Sequence, residues 1–242
     1  MSTLFISDLH LEPSREDITA QFLEFMAGPA REAETLYLLG DVFEAWVGDD
    51  FRNPYSDRIE AAIREVSDAG VACRFMHGNR DFLVGDAFAE RTGCTLLDEE
   101  TVVDLYGEQV LLMHGDSLCT DDIAYQQFRK MVRDPNWQRQ FLGLPAEQRV
   151  ALARQARERS RTDSATKTDD IMDVNPRTVE ATMRAHGVHT LLHGHTHRPA
   201  VHEFELDGTP ARRIVLGDWY TQGSMVRWNA DGFELQTLDR ST

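Results

Sequence analysis

The chain has 242 residues, of which 41 % are hydrophobic and 27 % charged, and its formal net charge at pH 7 is −16. This length predicts one large domain, or a domain with an insertion, and the acidic balance argues against nucleic acid as a partner. The apolar runs fall short of the roughly 20 residues of a membrane span, and the N-terminus, MSTLFISDLH, lacks the basic region and cleavage site of a signal peptide.

Apolar runs and helical segments alternate along the first half of the chain. We predict helices at 15–26, 56–68 and 84–91. The strands are predicted at 3–7, 35–40, 71–76, 101–105 and 109–113. Strands that alternate with helices indicate βαβ units and a layered α/β fold. The three cysteines lack CxxC spacing, suit a reducing cytosol and are expected to be buried.

Residues 120–170 interrupt this alternation with a segment of helical composition. Ten Lys and Arg but only four Asp and Glu lie between 129 and 168. A basic segment on an acidic chain favours contact with an anionic surface or ligand, and its interleaved aromatic residues are typical of a helix at a membrane surface. A solvated helical hairpin packed on the body is the alternative. We predict a single domain over 1–242 with a helical insertion over 120–170.

After the insertion the α/β pattern resumes with a helix at 176–186 and a strand at 189–194. The stretches AVHEFELDG, ARRIVLGDW and SMVRWNADGFELQTL then predict an antiparallel β-meander. The GDW within this tail is assigned no chemistry.

Polar residues follow five apolar runs, in the motifs DLH (8–10), GD (40–41), GNRD (78–81), HGD (114–116) and GHTH (194–197). Each motif alone is typical of a turn, but five in order at strand ends favour a site. Asp and His ligate Mn²⁺, Fe²⁺ or Zn²⁺, and a lone Asp41 carboxylate is able to bridge two ions. Ions about 3.5–4 Å apart activate water and clamp a phosphoryl oxygen.

The five motifs resemble the signature of the calcineurin-like metallophosphoesterases over residues 8–197. The resemblance implies an α/β fold, a four-layer αββα sandwich of two sheets, with the helical insertion forming a cap. It also implies two divalent metal ions. One set of ligands would be Asp8, His10, Asp41 and His197, and the other Asp41, Asn79, His114 and His195. Asp116 and His193 are expected to support the site rather than ligate.

The motif GNRD departs from the common GNHD form of this family, since Arg80 stands where a histidine is usual. Arg cannot act as a general acid near neutrality. A pyrophosphate, whose phosphate leaves as a stabilised anion, hardly needs that acid, and its extra charge suits a bidentate guanidinium. Arg80 therefore favours a diphosphate substrate over a protein phosphomonoester.

GNRD, the insertion of roughly 50 residues after HGD, FISDLHL, GDVFEAWVGDD and the run ending in SATKT together resemble one branch, the UDP-2,3-diacylglucosamine diphosphatases of lipid A biosynthesis. The resemblance implies hydrolysis to UMP and 2,3-diacylglucosamine 1-phosphate, with Mn²⁺ preferred and water attacking the α-phosphorus. It implies catalytic roles for Asn79, Arg80 and His195. The implied substrate contacts are Asn79, Arg80, Asp122, Ser160, Ser164, Lys167 and His195.

The partners expected from this reading are the UDP-linked lipid and the membrane surface. The expected location is the cytoplasm, peripherally at the cytoplasmic face of the inner membrane, with the protein as a monomer. Two alternatives stay open. One is a soluble nucleotide pyrophosphatase or phosphodiesterase, which the basic, aromatic insertion disfavours. The other is a metal-binding scaffold without catalysis, which the full ligand set disfavours.

Overall fold

A computed structural model describes residues 2–164 and 168–240, in which eleven strands form two sheets. The strands are β1 (Thr3–Ile6), β2 (Thr35–Leu38), β3 (Ala72–Met76), β4 (Thr95–Leu97), β5 (Glu100–Leu105), β6 (Glu108–Met113), β7 (Thr190–His193), β8 (Ala200–Leu206), β9 (Thr209–Val215), β10 (Gly223–Asn229) and β11 (Gly232–Leu238). The helices are α1 (Glu16–Ala27), α2 (Pro54–Asp68), α3 (Asp86–Thr92), α4 (Ile123–Val132), α5 (Pro135–Leu142), α6 (Ala146–Ser164), α7 (Asp169–Met172) and α8 (Pro176–His186). Short 3₁₀ turns occupy Pro29–Glu32 and Asp116–Leu118.

The six-stranded sheet has the order β11-β10-β1-β2-β3-β4, and the five-stranded sheet the order β5-β6-β7-β9-β8. Strands β1 to β4 pair in parallel, as do β6, β7 and β9. Parallel pairing requires crossover connections, which helices supply from β1 to β4 and from β6 to β7, whereas β8 connects β7 to β9. All these parallel strands therefore end at one edge of their sheet.

Three apolar cores separate four layers. The core between the two sheets includes Phe5 of β1 and Leu112 of β6. The first three helices cover the outer face of the six-stranded sheet, for example with Phe22 of α1. Met183 of α8 packs with Leu191 on the outer face of the five-stranded sheet. The predicted αββα sandwich is thus confirmed.

The tail differs from the predicted single meander, which was wrong. Strands β8 and β9 form an antiparallel hairpin in the five-stranded sheet, whereas β10 and β11 pair in the six-stranded sheet beside β1. Alternation along each strand reports a half-buried face but carries no information about which sheet it joins. Helix α2 also begins two residues before its predicted start, because Asn53 accepts hydrogen bonds from the backbone N–H of Tyr55 and Ser56.

Helices α4 to α7 make up the segment predicted as an insertion, and arginines dock it on the body. Buried Arg149 donates to the carbonyl of Val47 and pairs with Asp50. Arg133 donates to the carbonyl of Gly78 at 2.9 Å. Part of the basic excess is therefore neutralised within the molecule.

The helices that the structure describes include none with the length and apolarity needed to cross a membrane. Cys73, Cys94 and Cys119 are buried free thiols, as expected.

Candidate metal centre

The candidate site lies where the carboxyl ends of parallel strands from both sheets meet. Strands β1, β2 and β3 lead to Asp8, Asp41 and Asn79, while β6 and β7 lead to His114 and His195. The backbone N–H of His195 donates to Oδ2 of Asp8 at 2.9 Å, across 187 residues of sequence. This edge is where α/β sheets bind ligands.

A first group contains Asp8, His10 and His197, whose ligand atoms all lie within 4.8 Å of one another. Nε2 of His10 is 3.1 Å from Nε2 of His197, which is 3.4 Å from Oδ1 of Asp8. Oδ2 of Asp41 lies 3.9 Å from Nε2 of His10. Two imidazoles with carboxylates form a donor set for borderline-hard divalent cations.

A second group surrounds the other oxygen of Asp41. Its Oδ1 lies 3.7 Å from Nε2 of His114. The side-chain amide of Asn79 is 2.9 Å from that nitrogen and 2.8 Å from Nδ1 of His195. Asp41 therefore presents one oxygen to each group, which is the position predicted for a bridging carboxylate.

The local backbone and the burial of donors fit a pair of divalent ions. Oδ1 of Asp8 is buried without a hydrogen bond of ordinary geometry. Asp8, His10, Asp41, His195 and His197 all have φ between +50° and +68°. Non-glycine residues rarely adopt this left-handed region, and such strain concentrates at functional sites.

Metal binding needs neutral imidazoles and ionised carboxylates, and the pKa values of two predicted ligands, His195 and Asp8, are shifted in that direction. Burial, reinforced by the charge of His114, lowers the pKa of His195 to about 4, so its ring is neutral at pH 7. Burial alone would raise the pKa of Asp8, but the hydrogen bond and charge of His197 hold it well below its ordinary value. At His114 and His197 the neighbouring carboxylates outweigh the effect of burial and raise the pKa of the ring, so these two imidazoles must be deprotonated for a metal ion to bind.

Two glycines allow backbone and ligands to approach closely. A Cβ on Gly78 would lie 2.2 Å from Oδ1 of Asp41, and one on Gly194 would lie 2.2 Å from Oδ2 of Asp8. Any side chain at either position would displace a predicted ligand, which explains the glycine in GNRD and GHTH.

Asp81 of GNRD fixes the bridging loop instead of facing the metal groups. Its carboxylate accepts hydrogen bonds from the backbone N–H of Gly78 at 2.8 Å and of Val42 at 2.8 Å. Burial, and then the charge of Asp41, raise the pKa of Asp81. The loops after β2 and β3 are therefore held together by one buried side chain.

Asp116 has a similar supporting place, as predicted. Oδ2 of its buried carboxylate accepts from the hydroxyl of Tyr125 and from Nε of Arg129, both at 2.8 Å. His193 is buried too, with its Nε2 3.2 Å from Arg213. The sequence-based expectation that neither Asp116 nor His193 is a ligand agrees with these positions.

Arg80 lies at the centre of the site. Its backbone N–H donates to Oδ1 of Asp41 at 2.8 Å, and its Nε is 3.5 Å from Oδ2 of the same carboxylate. Its Nη1 lies 3.4 Å from Oε1 of Glu44. The guanidinium is thus held beside both predicted metal groups by two carboxylates.

Two carboxylates that the sequence analysis did not assign face the outer nitrogens of predicted ligands. Oε2 of Glu44 lies 3.1 Å from Nδ1 of His10, and Oδ2 of Asp218 lies 3.4 Å from Nδ1 of His197. Glu44 ends the stretch GDVFE, and Asp218 lies within GDW. The nearby Gly-Asp pair is the only feature of the local sequence that could have indicated either residue.

The predicted substrate contacts outside the metal groups lie on or near the insertion. Asp122 caps α4 by accepting from the N–H of Tyr125 at 3.1 Å. Ser160 is exposed on α6. Ser164 ends α6, with a side chain outside the described set, and Lys167 lies outside the described residues.

A small cavity of about 10 Å³ lies between the body and the insertion. Asn79 and Phe82 of the body line it, together with Tyr125, Phe128 and Arg133 of the insertion. The guanidinium of Arg133 lies over the ring of Phe82, 5.5 Å from its centroid. The cavity therefore has both polar and aromatic walls.

The model of the calcineurin-like phosphoesterase family matches residues 1–199. A UDP-2,3-diacylglucosamine hydrolase of Chromohalobacter salexigens is 59 % identical, over 90 % of this chain and 89 % of that protein. Another of Serratia proteamaculans is 53 % identical, over 97 % of this chain and 98 % of that protein. The chain belongs to the calcineurin-like phosphoesterase family, within its UDP-2,3-diacylglucosamine hydrolase branch.

A third hydrolase of this branch, from Pseudomonas paraeruginosa, is 55 % identical over 96 % of this chain and 97 % of that protein. The similarity therefore extends over nearly the full length of both chains. The suspected resemblance is confirmed.

Proposed function

We propose that the protein hydrolyses the pyrophosphate bond of UDP-2,3-diacylglucosamine to UMP and 2,3-diacylglucosamine 1-phosphate. The observation that carries this proposal is the meeting of seven predicted metal ligands around Arg80, in a chain 59 % identical to a hydrolase named for that substrate. The aromatic side chains beside Asn79, with Phe82 and Tyr125 among them, favour a substrate with an apolar part over a soluble diester.

In this proposal Asp8, His10, Asp41 and His197 hold one divalent ion, and Asp41, Asn79, His114 and His195 hold the other. When bound, the two ions lower the pKa of water and neutralise charge on the phosphoryl oxygens. We expect Mn²⁺, which accepts this mixture of imidazole, carboxylate and amide donors.

Water forms the new bond to the α-phosphorus, and the bond from that phosphorus to the bridging oxygen breaks. The electron pair leaves on the lipid phosphate, which is stable as an anion. Arg80 binds pyrophosphate oxygens through its guanidinium instead of donating a proton, since arginine stays charged. Asn79 and the neutral ring of His195 position the reacting phosphoryl group.

The insertion completes the proposal as a cap that receives the acyl chains. Its aromatic residues extend the apolar surface beside Asn79, since the rings of Trp137 on α5 and Phe82 on the body have centroids 6.3 Å apart. We expect Asp122, Ser160, Ser164 and Lys167 to contact the glucosamine and phosphate groups. Apolar side chains such as Ile123 and Met131 are exposed on α4, beside basic Lys130, and suit peripheral contact with the cytoplasmic face of the inner membrane. We expect a monomer in the cytoplasm.

The test is hydrolysis of UDP-2,3-diacylglucosamine in detergent micelles by Mn²⁺-loaded protein in ¹⁸O-labelled water, with mass analysis of both products. Label in UMP is expected. Label in the sugar phosphate would keep the substrate and overturn the direction of attack. Cleavage of a soluble diester without turnover of the lipid would overturn the proposed substrate.

A pair of histidine variants provides the matched control for this assay. His195→Gln should lose most activity, while His202→Gln, on an exposed position of β8, should retain it. Equal activity of the two variants would contradict the proposed role of His195.

A further inference from the structure

Glu44 connects three parts of the molecule that are far apart in sequence. It follows β2, and its side chain is 11 % exposed. Oε2 lies 3.1 Å from Nδ1 of the predicted ligand His10. Oε1 accepts from Nη2 of Arg157 at 2.8 Å and from Nε of Arg157 at 2.9 Å, and it lies 3.4 Å from Nη1 of Arg80. One carboxylate thus contacts a metal ligand, the central arginine and the insertion helix α6.

We propose that Glu44 is a positioning residue that couples α6 to the first metal group, with Glu44 strengthening metal binding at His10 and Arg157 opposing that effect. The inference deepens the proposed function, on which it rests, because it concerns how the same metal centre is tuned.

The strengthening effect follows from what a carboxylate does on the outer side of a histidine ligand. A negative group at Nδ1 favours the proton on that nitrogen, which leaves the lone pair of Nε2 directed at the metal group and fixes the ring. The ring of Tyr220 stacks on His10 with 5.3 Å between centroids and further restricts it. In the second group, Nδ1 of His114 instead lies 2.9 Å from the uncharged carbonyl of Leu39.

The opposing effect follows from charge. The guanidinium groups of Arg157 and Arg80 both contact Oε1 of Glu44, and the positive charge of each reduces the negative potential that the carboxylate produces at His10. A diphosphate attracts the same guanidinium groups bidentately. Its arrival therefore competes with Glu44 for Arg157 and Arg80 and leaves the carboxylate to His10. By linkage, substrate and metal then strengthen each other's binding.

The decisive experiment measures Mn²⁺ binding to the metal-free full chain by electron paramagnetic resonance, without substrate, in the wild type and four variants. Glu44→Gln should weaken the tighter of two sites about 10- to 100-fold, as is usual when the outer partner of a histidine ligand is removed. Arg157→Gln should bind Mn²⁺ at least as tightly as the wild type. Asp50→Asn removes a different contact between α6 and the body, that with Arg149, and should leave both Mn²⁺ affinities unchanged.

The direction in which each variant changes the Mn²⁺ affinity distinguishes a positioning role of Glu44 from a packing role. If Glu44→Gln and Arg157→Gln weakened Mn²⁺ binding equally, or if Glu44→Gln left it unchanged, the proposal would be overturned. Glu44→Asp, which keeps the charge but shortens the side chain, should give an intermediate affinity and guards against a general folding defect in the glutamine variant. If Glu44→Asp bound Mn²⁺ no more tightly than Glu44→Gln, the proposal would also be contradicted.

The result is independent of the proposed reaction. If the variants show the expected order of Mn²⁺ affinities but the lipid is not cleaved, the positioning role of Glu44 is supported and the proposed substrate is wrong. If the lipid is cleaved but the affinities do not change with Glu44, the reaction stands and the coupling falls.

Discussion

Gly78→Ala should disable the metal centre without altering a ligand. The added Cβ would lie 2.2 Å from Oδ1 of Asp41 and 2.3 Å from its backbone nitrogen. Ordinary contacts of carbon are at about 3.5 Å, so the loop after β2 or β3 must move by about 1 Å. The displaced atoms include the predicted bridging carboxylate. A misplacement of about 1 Å costs roughly 10²-fold in rate, and overpacking of this kind costs about 1–3 kcal/mol in the free energy of unfolding.

The assay combines kcat on the lipid substrate, Mn²⁺ stoichiometry and urea unfolding. Gly143→Ala is the matched control, because Gly143 has a right-handed helical conformation and its added Cβ would meet nothing closer than 3.3 Å. We expect Gly78→Ala to stay folded but to lose about 10²-fold in kcat and at least one Mn²⁺. An activity within about threefold of the control, with two ions bound, would refute the argument that the close approach at Gly78 positions Asp41.

Three further predictions concern charge. Arg80→Lys should reduce kcat/KM for the diphosphate by at least about tenfold, because an ammonium group cannot bind two oxygens bidentately. Arg80→His should not restore the rate. Unchanged steady-state kinetics in either variant would contradict the role assigned to Arg80. Asp116→Asn should lower the free energy of unfolding at pH 7 by about 1–3 kcal/mol, because Arg129 loses its buried charged partner and keeps only the more exposed Glu99. Although burial opposes ionisation, the charges of His114 and Arg129 hold the pKa of Asp116 below its ordinary value. The ionised carboxylate of Asp116 therefore contributes its full stabilisation above the unfolded pKa of about 3.9, and this contribution is lost as the pH falls below that value. In urea unfolding, the difference in free energy of unfolding between wild type and variant should be smaller at pH 3 than at pH 7. An equal difference at the two pH values would contradict the prediction. Removal of metal with a chelator should lower the midpoint of thermal unfolding by about 10 °C, because ions at about 1,000 times their Kd stabilise the folded protein by about 4 kcal/mol. Addition of Mn²⁺ should restore the midpoint. A midpoint that does not change with the chelator would exclude tight metal binding.

The metal groups could be predicted from the sequence because each candidate ligand follows an apolar run. Asp8, Asp41, Asn79 and His114 each come within three residues of the end of a strand. Parallel strands in one sheet end at the same edge, so local patterns that are read one at a time place these side chains together. The layered α/β class follows from the same alternation of strands and helices, whereas the family resemblance implied the four layers.

The supporting contacts could not be predicted in this way. Glu44 is separated from Arg157 by 113 residues, and nothing in GDVFE indicates a partner on a distant helix. Asp218 belongs to a Gly-Asp turn like many others, and only the return of the chain beside β1 brings it to His197. The tail failed for a related reason, since amphipathic strands report a buried face but not the sheet that buries it.

The place of β10 has a consequence for the order in which the chain folds during synthesis. Strand β1, made first, is an interior strand, and its second edge pairs only with β10, for example Thr3 with Trp228. Until residues 223–229 leave the ribosome, that edge of β1 is an open template for pairing with other chains. Close by, the backbone N–H of Trp219 donates to the carbonyl of Asp8 at 3.2 Å. The nascent chain therefore cannot complete the surroundings of its first predicted ligand until nearly the whole sequence has been translated. Chains cut before residue 223 should accumulate as insoluble material rather than as partly active fragments.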